Sequence, residues 1–162
     1  MPMLLFHASN LEIKRPKLVN RAQTLDFGSG FYTTSNREQA ESFALKVYAR
    51  RGREGMPTVN AYNFAGTAGL DTLTFESPSD KWLDFVVRNR KYGRKEACDL
   101  IIGPVANDDV FTTIALYERG QLTKDEAIAR FKVKKLYNQY LFCTEKALSA
   151  LTFEESFKAE DR

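Results

Sequence analysis

Asp26-Phe27-Gly28-Ser29-Gly30-Phe31-Tyr32-Thr33-Thr34 is the stretch on which the reading of this chain turns. Two glycines bracket a serine, and a β-favouring run follows at once. Glycine tolerates positive φ and the close approach of another backbone or a ligand, and Asp26 fits as a turn-maker for the pair. The Phe31–Thr34 run predicts a strand. Alternation sends Phe31 and Thr33 to one face, Tyr32 and Thr34 to the other, with Phe31 on the core side and Tyr32 on the open side beside the turn. Ser35-Asn36-Arg37-Glu38 has the form of a capping box and predicts a helix start. On spacing alone, such a turn is only a turn, and such a tyrosine is a half-buried packing residue.

Upstream, Met3 to Ala8 is a short apolar run that predicts a first strand carrying His7, followed by a long loop from Ser9 to Leu25. Loops of that length are uncommon in compact domains unless they cover a site. Downstream, Ala40, Phe43, Ala44, Val47 and Tyr48 mark a helical stripe. Further strands are expected at Thr58–Ala65, Leu70–Phe75, Cys98–Val105, Tyr137–Thr144 and Leu151–Phe157. Further helices are expected after Ser77-Pro78-Ser79-Asp80, from Asp108 or Asp109 to Gly120, after the capping box Thr123-Lys124-Asp125-Glu126, and over Glu145–Leu151. Strands and helices intersperse without a regular βαβ beat, so the expected class is α+β. One domain over residues 1–157 with a flexible tail at 158–162 suits a chain of 162 residues.

Composition excludes several classes. With 43% hydrophobic and 28% charged residues the chain folds. A net charge of +3 is too small to argue for nucleic acid by itself. Basic residues do cluster, at Arg88, Arg90, Lys91, Arg94 and Lys95, and at Arg130, Lys132, Lys134 and Lys135; most such clusters are solvated helix ends. Cys98 and Cys143 are distant in sequence and lack zinc spacing, so buried thiols are expected. His7 is the single histidine, which removes histidine-rich metal sites. The apolar run at the N-terminus is too short for a signal peptide, and none approaches membrane length. A cytoplasmic location is the expectation. No Rossmann fingerprint, Walker loop or nucleophile elbow is present.

Three pieces in chain order carry a resemblance: Leu5-Phe6-His7-Ala8-Ser9, Gly30-Phe31-Tyr32-Thr33-Thr34 and Asn138-Gln139-Tyr140-Leu141-Phe142. Together they resemble the ADP-ribosyltransferase superfamily in its diphtheria-toxin-like and poly(ADP-ribose)-polymerase-like branch, named for a His, a Tyr and a Glu on three core strands. Over nearly its full length the chain is also similar to an uncharacterised bacterial family of that superfamily. That family shares the Asp-Phe-Gly-x-Gly-Phe-Tyr block, the Ile-Gly-Pro-Val run and the Asn-Gln strand. The resemblance implies a split β-sandwich with NAD in its cleft. It implies that His7 holds the adenosine-side ribose, that the Ala8 backbone holds the nicotinamide carboxamide, and that Tyr32, beside Gly30, stacks on the nicotinamide. Phe43 falls where a second stacking aromatic lies, and Gln139 falls at the catalytic glutamate. Two departures stand out: Ala8 replaces a usual glycine, and Gln139 replaces the glutamate. By themselves the same residues also fit bland roles: His7 a structural histidine, Phe43 core, Gln139 a strand amide bonded to a neighbour. Asp99 and Asp108 are the acidic groups near expected strand ends that could supply the charge Gln139 lacks.

The implied function is an NAD-dependent mono-ADP-ribosyltransferase acting on a protein or nucleic acid, in the setting of a bacterial toxin with an antitoxin partner or of phage defence. The alternative is a non-catalytic module that binds NAD, ADP-ribose or RNA with the same fold.

Overall fold

The computed structural model describes residues 3–18, 27, 29–94, 97–104, 108–132 and 138–160. Asp26, Gly28, Lys95, Val105, Lys134 and Lys135 lie outside the described residues, as do the side chains of Asp108 and Lys132.

Seven strands and five helices stand among the described residues. In chain order they are β1 (Met3–Ser9), β2 (Phe31–Thr34), α1 (Arg37–Arg50), β3 (Thr58–Phe64), β4 (Thr72–Thr74), α2 (Asp80–Tyr92), β5 (Leu100–Pro104), α3 (Asp108–Glu118), α4 (Lys124–Lys132), β6 (Asn138–Phe142), α5 (Glu145–Leu148) and β7 (Leu151–Lys158). The protein is α+β. All seven strands join one sheet in the order β4-β5-β6-β2-β1-β3-β7. Every pairing is antiparallel except β4 with β5.

Local chemistry sets the element ends. The Thr123 capping box forms as its spacing predicts: the Glu126 N–H donates to Thr123 Oγ1 and the Thr123 N–H donates to Glu126 Oε1, both at 3.1 Å. In α1 the cap falls one residue later than Ser35. Asn36 caps the helix, its Oδ1 accepting from the Gln39 N–H at 2.7 Å, because asparagine serves as an N-cap as well as serine does. Ser79, not Pro78, immediately precedes α2, and its Oγ accepts from the Trp82 N–H. At the C-terminus β7 runs through Lys158, and Ala159 is buried with its N–H donated to Pro57 O. The ordered chain therefore reaches past residue 157.

The sheet has two differently covered faces. Cross-strand partners share a face and neighbours along a strand alternate. One face carries Leu5, Tyr62, Phe31, Leu100 and Phe142, with Ala147 and Leu148 of α5 packed against them. On this face Phe64 of β3 meets Phe142 of β6 edge to face at 5.6 Å, although two strands separate them in the sheet. The sheet is thus rolled about this core. The other face carries Phe6, Val59 and Ala61, covered by Ala40 and Ala44 of α1. Further along the same face Ile101 and Leu141 are covered by Trp82, Leu83 and Val86 of α2, Ile114 of α3 and Phe131 of α4. Each buried leucine, isoleucine, valine or phenylalanine among them contributes roughly 1.5–3 kcal/mol by leaving water.

The two halves of the sheet meet at one place. β1 is registered with β3 from Met3↔Phe64 to Ser9↔Thr58, whereas its pairing with β2 rests on Phe6↔Thr34 alone. Beyond that pair, the His7–Ser9 end of β1 and the Phe31–Tyr32 end of β2 part. That parting is where the candidate site lies.

Candidate functional site

The three motif-bearing strands are consecutive neighbours: β6, β2 and β1. Thr34 pairs with Gln139, and Tyr32 with Leu141. Tyr32 and Gln139 therefore share a face as diagonal neighbours, at about 7–8 Å between backbones. Phe6↔Thr34 puts Phe6, and by alternation Ala8, on that same face.

Gln139 is 6% exposed and its Nε2 is buried without a hydrogen-bond partner among the described residues. Buried amide nitrogens are almost always paired, and leaving one unmade costs about 1–3 kcal/mol. Its register partner on the other side is Gly103. A side chain there would begin 3.1 Å from both Phe27 and Phe75, so the glycine makes room for the aromatic packing beside Gln139. Tyr32 is half-buried, and its hydroxyl accepts from the Phe27 N–H at 3.2 Å. Its ring is held back toward the preceding turn. That turn is tight: a Cβ on Gly30, at φ +152°, would stand 2.6 Å from Leu141 Cδ1 and 2.7 Å from Phe142 O. Arg94 clamps it from outside by donating to Phe27 O at 2.9 Å and Ser29 O at 2.8 Å.

His7 stands apart from Tyr32 and Gln139 by strand parity. Its ring lies on the opposite face, stacked on Phe31 at 4.0 Å and 19°. It is tied to the others through backbone: Nδ1 is 2.6 Å from Tyr32 O, at the point where β1 and β2 part. A carbonyl only accepts, so Nδ1 carries the proton and Nε2 of the neutral ring is an acceptor. Across the sheet His7 pairs with Asn60, which is fully buried. Asn60 Oδ1 accepts from the Ile13 N–H at 2.8 Å and its Nδ2 donates to Leu11 O. Tyr62 Oη donates to Ile13 O at 2.5 Å, and burial pushes that phenol's pKa up. The segment after β1 is therefore laid along the His7 face. Phe31 is the support of His7 that the motif leaves out, and Asn60, its register partner, holds the segment after β1 beside it.

Phe43 takes a different place. Helix α1 turns Ala40, Glu41, Ala44 and Val47 inward, and Phe43 is 46% exposed with the Arg50 guanidinium 5.7 Å over its ring. It is not a core residue.

Asp99 is committed elsewhere. Its Oδ2 accepts from the Asp71 N–H at 2.9 Å and its Oδ1 from the Thr144 hydroxyl at 2.7 Å. The Asp71 N–H above all, then the Thr144 hydroxyl, and last the charge of Lys146, hold its carboxyl below the usual 3.8. Asp99 precedes β5 by one residue, and the Cys143 N–H donates to its carbonyl. That is four residues along β6 from Gln139, or about 13 Å. Asp99 does not supply the charge that Gln139 lacks. Three arginines of the first basic cluster are engaged within the chain: Arg88 lies over Phe85, Arg90 pairs with Glu118 at 3.6 Å, and Arg94 holds the turn. Among the described residues no group of acidic, cysteine and histidine side chains is placed to hold a metal ion, and no helix is long and apolar enough to cross a membrane.

The family model described as "Protein of unknown function (DUF3990)" matches residues 3–153. The chain belongs to the DUF3990 family. The match begins at β1 and runs into β7, so it takes in all three strands of the candidate site. No curated protein and no solved structure matches the chain.

Proposed function

We propose that this DUF3990 chain is an NAD-dependent mono-ADP-ribosyltransferase, with the part between β1 and β2 serving as the split of an ADP-ribosyltransferase-like sandwich. The observation that carries the reading is the buried, unpartnered Nε2 of Gln139 on the face it shares with Tyr32, with Ala8 on the same face two strands away. A donor kept unsatisfied in a well-packed wall is suited to a ligand oxygen. The splayed strand ends leave backbone near Ala8 for an amide such as the nicotinamide carboxamide.

In this reading the nicotinamide, a flat cation, lies against Tyr32. His7, held by Tyr32 O and Phe31, accepts a hydroxyl of the adenosine-side ribose through Nε2. Gln139 grips the ribose next to the nicotinamide. The C1′–N bond breaks, its electron pair leaves with neutral nicotinamide, and positive charge builds on the ribose. An acceptor nucleophile on a protein or nucleic acid then bonds to C1′. Glutamate at position 139 would stabilise that charge directly; the glutamine orients the ribose without it. This favours a single, slow transfer over polymer synthesis. Phe43, exposed on α1, takes the role of second stacking aromatic in this reading. The setting of a toxin with an antitoxin partner, or of phage defence, belongs to the same reading, as does a cytoplasmic location.

Incubation of folded protein with labelled NAD and cell lysate tests this. Transfer of label with release of nicotinamide is expected. The neutral Gln139 favours one second reading, a module that binds NAD, ADP-ribose or RNA without chemistry. Saturable NAD binding with no turnover, and none gained by Gln139→Glu, would establish it in place of the enzyme.

A further inference from the structure

Cys98 precedes β5 and Cys143 follows β6. Leu100 pairs with Phe142, and the Cys143 N–H donates to Asp99 O at 2.8 Å, so the antiparallel run continues past both strand ends. It sets Cys143 opposite Asp99 and Cys98 one residue further on, and both side chains pack against the core under α2, α3 and α4. Both are half-buried, and both line a cavity of about 300 Å³ together with Asp71, Arg94, Asp99 and Thr144. Two adjacent thiols facing a cavity that admits small solutes are a different object from two buried packing cysteines.

The same cavity reaches the candidate site through one side chain. Arg94 lines it and donates to Phe27 O and Ser29 O. The Phe27 N–H in turn donates to the Tyr32 hydroxyl. A change in the cavity wall is therefore one residue away from the turn that sets Tyr32.

We propose that Cys98 and Cys143 are a modification site: a peroxide closes them into an intramolecular disulfide, and the closure loosens the Arg94 grip on the Tyr32 turn. The first step is attack of the Cys98 sulfur on a peroxide oxygen; the O–O bond breaks, water leaves, and Cys98 becomes a sulfenic acid. Cys143 then attacks that sulfur, the S–O bond breaks, and the thiol proton departs with the oxygen as a second water. Two thiols and one hydrogen peroxide give one disulfide and two waters. Burial pushes the Cys143 thiol up to about 12, so little of it is thiolate; the first attack falls to Cys98, and closure by Cys143 is slow. The disulfide stands independently of any ligand; its effect on NAD rests on the function proposed above.

The full chain is treated with hydrogen peroxide, denatured and alkylated. The expected result is loss of both alkylatable thiols, a mass lower by two hydrogens, and recovery of both thiols with dithiothreitol. Cys98→Ser and Cys143→Ser should each abolish the cross-link. Full alkylation after peroxide, oxygen addition without a cross-link, or cross-links only between chains would overturn the proposal. The coupling is read without NAD, by hydrogen exchange over the segment from Phe27 to Tyr32. Exchange should be faster in the oxidised protein, and equal exchange in both forms overturns the link to Tyr32. If the reduced protein binds no NAD, the proposed function fails while the thiol chemistry is judged on its own result.

Discussion

β1 has two neighbours and treats them differently. With β3 it is registered along its whole length, from Met3↔Phe64 to Ser9↔Thr58. With β2 it shares Phe6↔Thr34 alone. The first seam is closed by buried partners on both faces, Leu5 against Tyr62 on one and Phe6 against Ala61 on the other. At the second seam the ladder stops, and a histidine side chain bonds to the Tyr32 carbonyl. The β1–β3 seam holds the fold; the β1–β2 seam keeps polar groups near a parting of strands. The contrast separates residues whose loss should unfold the chain from residues whose loss should leave the fold standing.

The sharpest break of that comparison is Leu5→Ala. Leu5 is fully buried on the β3 side, and the truncation should cost about 2–5 kcal/mol, read as a lower urea midpoint. Next is Gly30→Ala, which forces a Cβ against Leu141 and the Phe142 carbonyl. Backbone on the far side cannot yield cheaply, so a loss of roughly 1–3 kcal/mol is expected, with displacement of Tyr32 visible as weaker NAD binding. Gln139→Leu should act in the opposite sense. It removes the orphaned donor at similar size, so stability should stay level or rise by up to about 1 kcal/mol, while nicotinamide release is lost. A large drop in melting temperature for this variant would make Gln139 part of the frame.

The smallest effect is a pH dependence away from the split. The Asp99 carboxyl is held below its ordinary value by the Asp71 N–H and the Thr144 hydroxyl. A carboxyl depressed in the folded state stabilises the fold above its unfolded pKa and loses that contribution as pH falls through the folded pKa. The stability gap between the wild type and Asp99→Asn should therefore be open at about pH 5 and shrink steadily below about pH 4. Denaturant midpoints across that range check it; a gap constant with pH would mean that the carboxylate's charge is not what matters.

Much of this was legible in the sequence where the signal is local. The Thr123 box formed with the partners its spacing names. The Phe31–Thr34 strand stands as expected, with Phe31 buried, but the side expected to be open is covered: Thr34 is buried, and Tyr32 packs half-buried against the core under α2, α3 and α4. The Asn36 cap shows the limit of local signals: Ser35 and Asn36 are both competent, and the geometry of the entering chain chooses. Non-local facts were not legible. Whether His7 faces with Tyr32 or against it depends on the β1–β2 register, which one pair decides. A shift of one residue would reverse it. Phe43 lay on an apolar stripe, yet α1 is rotated so that Glu41, ion-paired to Arg37 at 3.4 Å, takes the buried place. Cys98 and Cys143 line one cavity only because β5 and β6 pair, and no spacing rule announces that.

The central claim is that the parting of β1 and β2 is a dinucleotide site built on Tyr32 and Gln139. Calorimetric titration of NAD into the wild type, Tyr32→Ala and Gln139→Ala, with nicotinamide release measured on the same samples, tests it most directly. The account predicts saturable binding to the wild type. It predicts roughly tenfold weaker binding for Tyr32→Ala, about 1.4 kcal/mol, and for Gln139→Ala a loss of turnover larger than the loss of binding. No binding to folded wild type, or equal and small effects of the two substitutions, would contradict it.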